Sequence, residues 1–150
     1  MVFEINFFST QNFNHMVNDT YLHSELTERI IKAFYKVYNT LGYGFLEKVY
    51  ENSMLIELRK MGLNAQKQLA ISVYYEGELV GEYKADIIVV DKVILELKAS
   101  ESLCEQDEAQ LVNYLKATPI EVGLLLNFGV KPQLKRKIFS NSNKPSLRRV

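Results

Sequence analysis

The stretch from Ala85 to Lys98 constrains this chain more than any other part of it. Ile87-Ile88-Val89-Val90 and Val93-Ile94-Leu95 are apolar at consecutive positions, so strands built from them carry apolar side chains on both faces. Such strands belong inside a sheet that is covered on both sides. Three charged residues interrupt this apolar sequence: Asp86 at its head, and Glu96 and Lys98 near its end. Glu96 and Lys98 are two apart and therefore share a face. A carboxylate and an ammonium in so apolar a strand are costly unless they are paired or serve a cation. If the two strands form a hairpin with Asp86 opposite Glu96, the pairing centre is Asp91 and the loop has an odd number of residues, such as Val90-Asp91-Lys92. A two-residue Asp91-Lys92 turn would oppose Ile87 to Glu96 and put Asp86 on the other face.

The remaining elements follow from periodicity. Ser24 is a suitable N-cap for a first helix in which Leu26, Ile30, Phe34, Val37 and Leu41 form one stripe, with Gly42 as its stop. A second helix is predicted from Phe45 to Met61, with Leu46, Val49, Ser53, Ile56 and Lys60 along one side and Tyr50, Met54 and Leu58 beside it. Period two then takes over. Strands are predicted over Leu69 to Tyr75, Leu79 to Val90 and Val93 to Lys98, with a turn at Glu76-Gly77. A third helix runs from Glu105 to Lys116 and stops at Thr118-Pro119. It turns inward either Ala109, Val112 and Leu115 or Leu111 and Leu115. Val122 to Phe128 follows as a strand reached by a βαβ crossover, and Leu134 to Phe139 as an edge strand. The order α-α-β-β-β-α-β-β describes an α/β fold, a mixed sheet with helices on its faces.

The length of 150 residues suits one domain. Residues 1–23 lack a clean period and read as a flexible N-terminal arm, 24–140 as the folded domain, and 141–150 as a basic C-terminal tail. No apolar run reaches the length of a membrane span, and no secretory leader is legible. The single cysteine, Cys104, excludes an internal disulfide. Together these features lead to the expectation of a cytoplasmic protein without membrane contact. The formal net charge is zero, unlike that of a tight nonspecific nucleic-acid binder. Its distribution is uneven: residues 131–150 hold seven basic side chains and no acidic one, against 11 basic and 18 acidic in residues 1–130. Lys135, Arg136 and Lys137 in that basic end are candidate phosphate contacts, the alternative being a solvated segment that balances charge.

Two carboxylates brought side by side repel each other unless a divalent cation lies between them. Mg²⁺ suits such a pair, since it takes one or two carboxylates together with waters and a phosphate oxygen. It would activate a bound water and neutralise charge growing on the phosphate, while Lys98 would orient or deprotonate that water or stabilise the transition state. The competing reading of Glu96 and Lys98 is a structural ion pair. Glu47 stands in the first turn of the second helix, where an acid is also favoured by the helix dipole. Gln110 and Tyr114, four apart on the third helix, form a polar patch that could equally be an ordinary half-buried helix face.

These residues carry a resemblance. Asp86 followed by Glu96-x-Lys98 resembles the signature of the PD-(D/E)xK nuclease superfamily, although Ala85 stands where the name has Pro. Gln110-x-x-x-Tyr114 is similar to the element that follows ExK in the RecB-like and lambda-exonuclease-like branches. Gly44-x-x-Glu47-x-x-Tyr50 resembles the motif of the GxxExxY proteins, and the likeness extends through the Gly123 to Gly129 stretch. The resemblance implies a restriction-endonuclease-like core, a central mixed β-sheet flanked by helices. It implies Asp86, Glu96 and Glu47 as metal-site acids for Mg²⁺ or Mn²⁺, Lys98 as the catalytic lysine, and Gln110 and Tyr114 as residues positioning the lysine or the substrate. The expected function is metal-dependent phosphodiester hydrolysis in nucleic acid, with DNA preferred, in repair, defence or mobile-element processing. The alternative is a catalytically silent nucleic-acid-binding or protein-interaction module on the same fold. The near-neutral charge leaves room for a homodimer or an accessory protein partner.

Overall fold

The computed structural model describes residues 22–144. Helix α1 spans Ser24–Leu41 and α2 Glu47–Lys60; strands β1 (Ala65–Tyr75), β2 (Glu78–Val89) and β3 (Val93–Lys98) follow. Helix α3 (Glu105–Ala117) leads to β4 (Val122–Phe128) and β5 (Pro132–Ile138), and a 3₁₀ turn covers Asn141–Asn143. The five strands form one sheet in the order β1-β2-β3-β4-β5. All neighbouring pairs are antiparallel except β3–β4, which is parallel and joined through α3. This is the mixed α/β sheet expected from the alternation of patterns. The expected arm over 1–23 falls outside the described residues except for Leu22 and His23, and the expected tail over 141–150 except for residues 141–144. Among the described residues no helix is long and apolar enough to cross a membrane.

The core has two layers. On one face of the sheet, Ile30 and Phe34 of α1 and Tyr50, Met54 and Leu58 of α2 pack against Ile87, Val89, Leu95, Leu97, Leu124 and Leu126. On the other, Leu111, Tyr114 and Leu115 of α3 pack against Ile71, Ile88, Ile94 and Leu125. Every residue of β4 is buried, as are the first five of β3. Each Val, Ile, Leu or Phe among them contributes about 1.5–3 kcal/mol through removal from water. Since Leu95 and Leu97 belong to the α1/α2 layer, alternation directs Ile94, Glu96 and Lys98 toward the α3 side.

Several local expectations are corrected. His23, with φ 55°, holds the N-cap position of α1, and Ser24 is the first helical residue. Helix α2 starts at Glu47, and its buried side is Tyr50, Glu51, Met54, Leu55 and Leu58. Leu46, Val49 and Ile56 are exposed. The sheet selects the face with the larger volume, where Tyr50 stacks on Phe128 at 4.2 Å between ring centroids. Strand β1 begins four residues earlier than its alternation suggests because its polar first half pairs along β2. Of the two inward sets offered for α3, the structure takes Leu111 and Leu115. The edge strand β5 is shifted toward Pro132, and Phe139 lies beyond its end.

Candidate functional site

Strands β2 and β3 pair Val89 with Val93, Ile88 with Ile94 and Ile87 with Leu95. The loop is thus Val90-Asp91-Lys92, and the same register brings Asp86 opposite Glu96. Val90 and Asp91 both take left-handed backbone angles, φ 54° and 55°, to close it. The backbone ladder ends one position short of the two acids. In its place the Leu97 N–H donates to Asp86 Oδ2 at 2.8 Å, and the Asp86 N–H donates to Glu96 Oε1 at 3.2 Å. On its other side Asp86 faces Gln68, which is skipped in the ladder between Lys67↔Ile87 and Leu69↔Ala85 and has φ 53°. Asp86 therefore stands where the ladders on both flanks open, and its carboxylate fills the gap. A left-handed glutamine inside a strand is a strained conformation of the sort retained at functional sites.

Three acidic groups are gathered here at an energetic cost. Glu96 is 3% exposed. Burial, and then the charge of Asp86, push its carboxyl up to about 8, while the Asp86 N–H and Lys98 oppose that shift and Glu47 adds to it. Asp86 is also held above its ordinary value by burial, against the Leu97 N–H, Lys98 and Gln68. Glu51, buried on α2, is raised by burial and by Asp86, and accepts a hydrogen bond from Gln68 Nε2 at 3.0 Å. Burial alone would pull the Lys98 ammonium down. Asp107, Glu47 and Glu96 more than offset it, so Lys98 holds its proton more firmly than a free lysine. Its Nζ lies 3.4 Å from Asp107 Oδ1.

Each neighbouring element has a local reason for its position. The Tyr50 hydroxyl donates to the Gly42 carbonyl at 2.7 Å and accepts from the Phe45 N–H at 3.2 Å. This ties the α1–α2 link to the core, with Gly44 at φ 110° turning the chain, and sets Glu47 in the first turn of α2. The Gly-x-x-Glu-x-x-Tyr pattern is thus a loop anchor that carries an acid. Beyond Lys98, Asn127 of β4 is fully buried and clasps the departing chain. Its Oδ1 accepts from the Ser100 N–H at 3.0 Å, and its Nδ2 donates to the Ser100 carbonyl at 2.9 Å and to Gln133 Oε1 at 3.1 Å. On α3, Gln110 Nε2 donates to the Tyr114 hydroxyl at 2.6 Å. Burial raises the Tyr114 phenol, Gln110 opposes this, and Glu96 and Asp86 add to it, so Tyr114 is within their field.

The structure brings Asp86, Glu96 and Lys98 together, with Glu47, Gln110 and Tyr114 around them. It does not gather Glu47 with the first two into a ligand triad: among the described residues no group of three or more His, Cys, Asp or Glu side chains is arranged to hold a metal ion. The carboxylates of Asp86 and Glu96 instead engage backbone N–H groups. Lys135, Arg136 and Lys137 do not share a face, because strand alternation separates them. Lys135 and Lys137 both pair with Glu108 of α3, whereas Arg136 donates to the Leu22 carbonyl beside α1. Sequence reasoning missed Gln68, whose role depends on a backbone irregularity. It also missed Asp107, for which the signal was the Cys104-x-x-Asp107 spacing. There the Asp107 carboxylate accepts from the Cys104 N–H at 3.0 Å in a capping box and turns its other oxygen to Lys98. Glu51, one turn beyond Glu47 on α2, joins these acids through Gln68 and the charge of Asp86.

No curated protein matches the chain significantly. The crystal structure of SSO0001 is similar at a TM-score of 0.52 and 20% sequence identity, over 82% of this chain and 62% of that chain. At that identity the likeness concerns the fold, and this chain spans less than two thirds of the other's length. The profile of the PD-(D/E)XK nuclease superfamily matches residues 24–138, from the first residue of α1 to the last of β5. With the sheet order and the Asp86, Glu96-x-Lys98 arrangement in place, the chain belongs to the PD-(D/E)XK nuclease superfamily.

Proposed function

We propose that the chain is a nuclease that hydrolyses phosphodiester bonds in DNA with Mg²⁺ or Mn²⁺, on the branch marked by Gly44-x-x-Glu47-x-x-Tyr50 and allied to the RecB-like and lambda-exonuclease-like enzymes. The observation that carries this reading is the carboxylate pair at the opening between β2 and β3, with Lys98 beside it. The donor set fits a hard divalent cation: two adjacent carboxylates, oxygen only, in a pocket where burial, and then the charge of Asp86, push Glu96 up to about 8. Asp86 and Glu96 would hold the ion, and Glu47 would border it. Bound there, it would supply an activated water and neutralise charge on the phosphate.

The side chains of the site divide the remaining work. Lys98 keeps its proton, so it serves as a donor and positive charge toward a phosphate oxygen rather than as the base. Asp107 positions Lys98 from the first turn of α3. The Gln110–Tyr114 pair places a phenol at the border of the site, where it can orient the substrate. Lys135 and Lys137 extend positive charge along the edge strand toward the nucleic acid. A second copy or an accessory partner would aid binding by the near-neutral chain, and the lone Cys104 suits a cytoplasmic location.

Cleavage of single- and double-stranded DNA and RNA with Mg²⁺ or Mn²⁺, beside Lys98→Ala, tests the proposal. The variant should cleave slower by roughly a hundredfold or more, the scale of lost electrostatic or proton-transfer help. Equal rates in variant and parent would transfer the protein to the alternative of a silent binding module.

A further inference from the structure

A groove of about 450 Å³ lies between the outward side of α3 and the β1–β2 hairpin. Val73, Val80 and Tyr83 line it on the hairpin side, and Gln106, Asn113 and Tyr114 on the helix side. Its size falls within the roughly 300–1,000 Å³ typical of clefts for small ligands. Tyr83 is half exposed at 52%, although it lies in a formed strand. Its ring has a neighbour on each of two sides. A Cβ at Gly81 would lie 3.2 Å from the ring, so the glycine leaves Tyr83 room to lie along the strand. The Tyr114 ring sits 5.9 Å away, tilted by 46°. Val80 beside it is 61% exposed. The result is an aromatic surface open to solvent, with Gln106 and Asn113 across the groove.

Tyr114 belongs to both the groove and the candidate active site. It lines the first, and it packs in one buried cluster with Ala85, which adjoins Asp86, and Ile94, which shares a strand face with Glu96. A strand with its phosphate at the carboxylate pair would run on toward this groove. The volume suits a group of the size of one nucleoside. Aromatic rings accept any base by stacking, and amides can pair with its edge.

Resting on the nuclease reading above, we infer that this groove is a subsite for one unpaired nucleotide next to the scissile phosphate, with Tyr83 as the stacking platform. The protein would accordingly favour single-stranded or frayed-end substrate over blunt duplex.

The test is binding of a fluorescent single-stranded oligonucleotide and of a blunt duplex of the same sequence, in Ca²⁺ to suppress turnover. DNA and RNA versions of the single strand identify which backbone the groove prefers. Tyr83→Ala should weaken single-strand binding about tenfold and leave the blunt duplex within twofold, while Tyr83→Phe retains parental affinity. Asn113→Asp, on an exposed helix position, places a negative charge in the groove without disturbing the core and should weaken single-strand binding selectively. Parental single-strand affinity in Tyr83→Ala, or equal losses on both substrates, would overturn the subsite. If single-strand binding depends on Tyr83 but neither parent nor Lys98→Ala cleaves with Mg²⁺ or Mn²⁺, the subsite stands and the nuclease reading fails. If cleavage depends on Lys98 but binding is independent of Tyr83, the nuclease reading stands and the subsite fails.

Discussion

Glu96 concentrates the electrostatics of the candidate site in one side chain. It is almost fully buried, faces Asp86 across the opening in the sheet, and has its carboxyl pushed up to about 8 by burial first and by Asp86 second. Its folded-state value lies above its unfolded value, so the native state binds the proton more tightly. The stabilisation is complete below the ordinary carboxyl range and is lost as pH rises through about 8. In a chelator, the thermal midpoint should fall between pH 5 and pH 8, and Glu96→Gln should flatten that fall. An equal fall in parent and variant would remove Glu96 as the cause. The identities of Asp86, Glu96 and Lys98 were readable from spacing because charges inside an apolar strand are expensive. The pairing partners Gln68 and Asp107 were not, since an isolated polar residue in a half-exposed segment has many cheaper explanations.

At the scale of elements, the site is held by connections rather than by the strands alone. Tyr50 fixes the α1–α2 link that carries Glu47, and Asn127 fixes the chain that leaves Lys98 for α3. Asn127→Ala leaves the Ser100 N–H and carbonyl without their buried partner and should cost about 2–3 kcal/mol, measured as a lower urea midpoint. Cleavage should fall with it, because Lys98 lies two residues from Ser100. An unchanged midpoint would mean that Ser100 is held by other contacts. The strands and α3 were legible as elements because their patterns match one period each. The buried side of α2 was not. Its apolar residues are spread around the helix, and Tyr50, Met54 and Leu58 won the inner position because Phe128 and the sheet offered a fitting surface.

Across the whole molecule, charge is arranged by the sheet rather than by position along the chain. The basic residues of β5 read as one patch in sequence, yet Lys135 and Lys137 lie with α3, and Arg136 lies toward α1. Replacing both lysines by alanine should weaken oligonucleotide binding and reduce the slope of log affinity against log salt by up to about 2. Arg136→Ala should instead lower thermal stability, since its guanidinium holds the Leu22 carbonyl at the start of α1. Titrations at two salt concentrations, with parallel melts, distinguish the two effects; a salt slope that follows Arg136 rather than the lysines would reverse the assignment.

Of the two hairpin loops that the sequence left open, the structure takes Val90-Asp91-Lys92; the sequence by itself determined the α/β class and the setting of Asp86, Glu96 and Lys98 as charges within an apolar strand pair. Both depend on periods of two or 3.6 residues and on the cost of burying charge, which act locally and leave a mark in the residue order. Only the tertiary structure decided which side of α2 is buried, that Asp107 reaches Lys98, that Gln68 breaks the ladder beside Asp86, and that Tyr83 and α3 enclose a groove. Those features join residues far apart in the chain. They arise from how helices settle on a twisted sheet, a balance of shape and volume that no local period records.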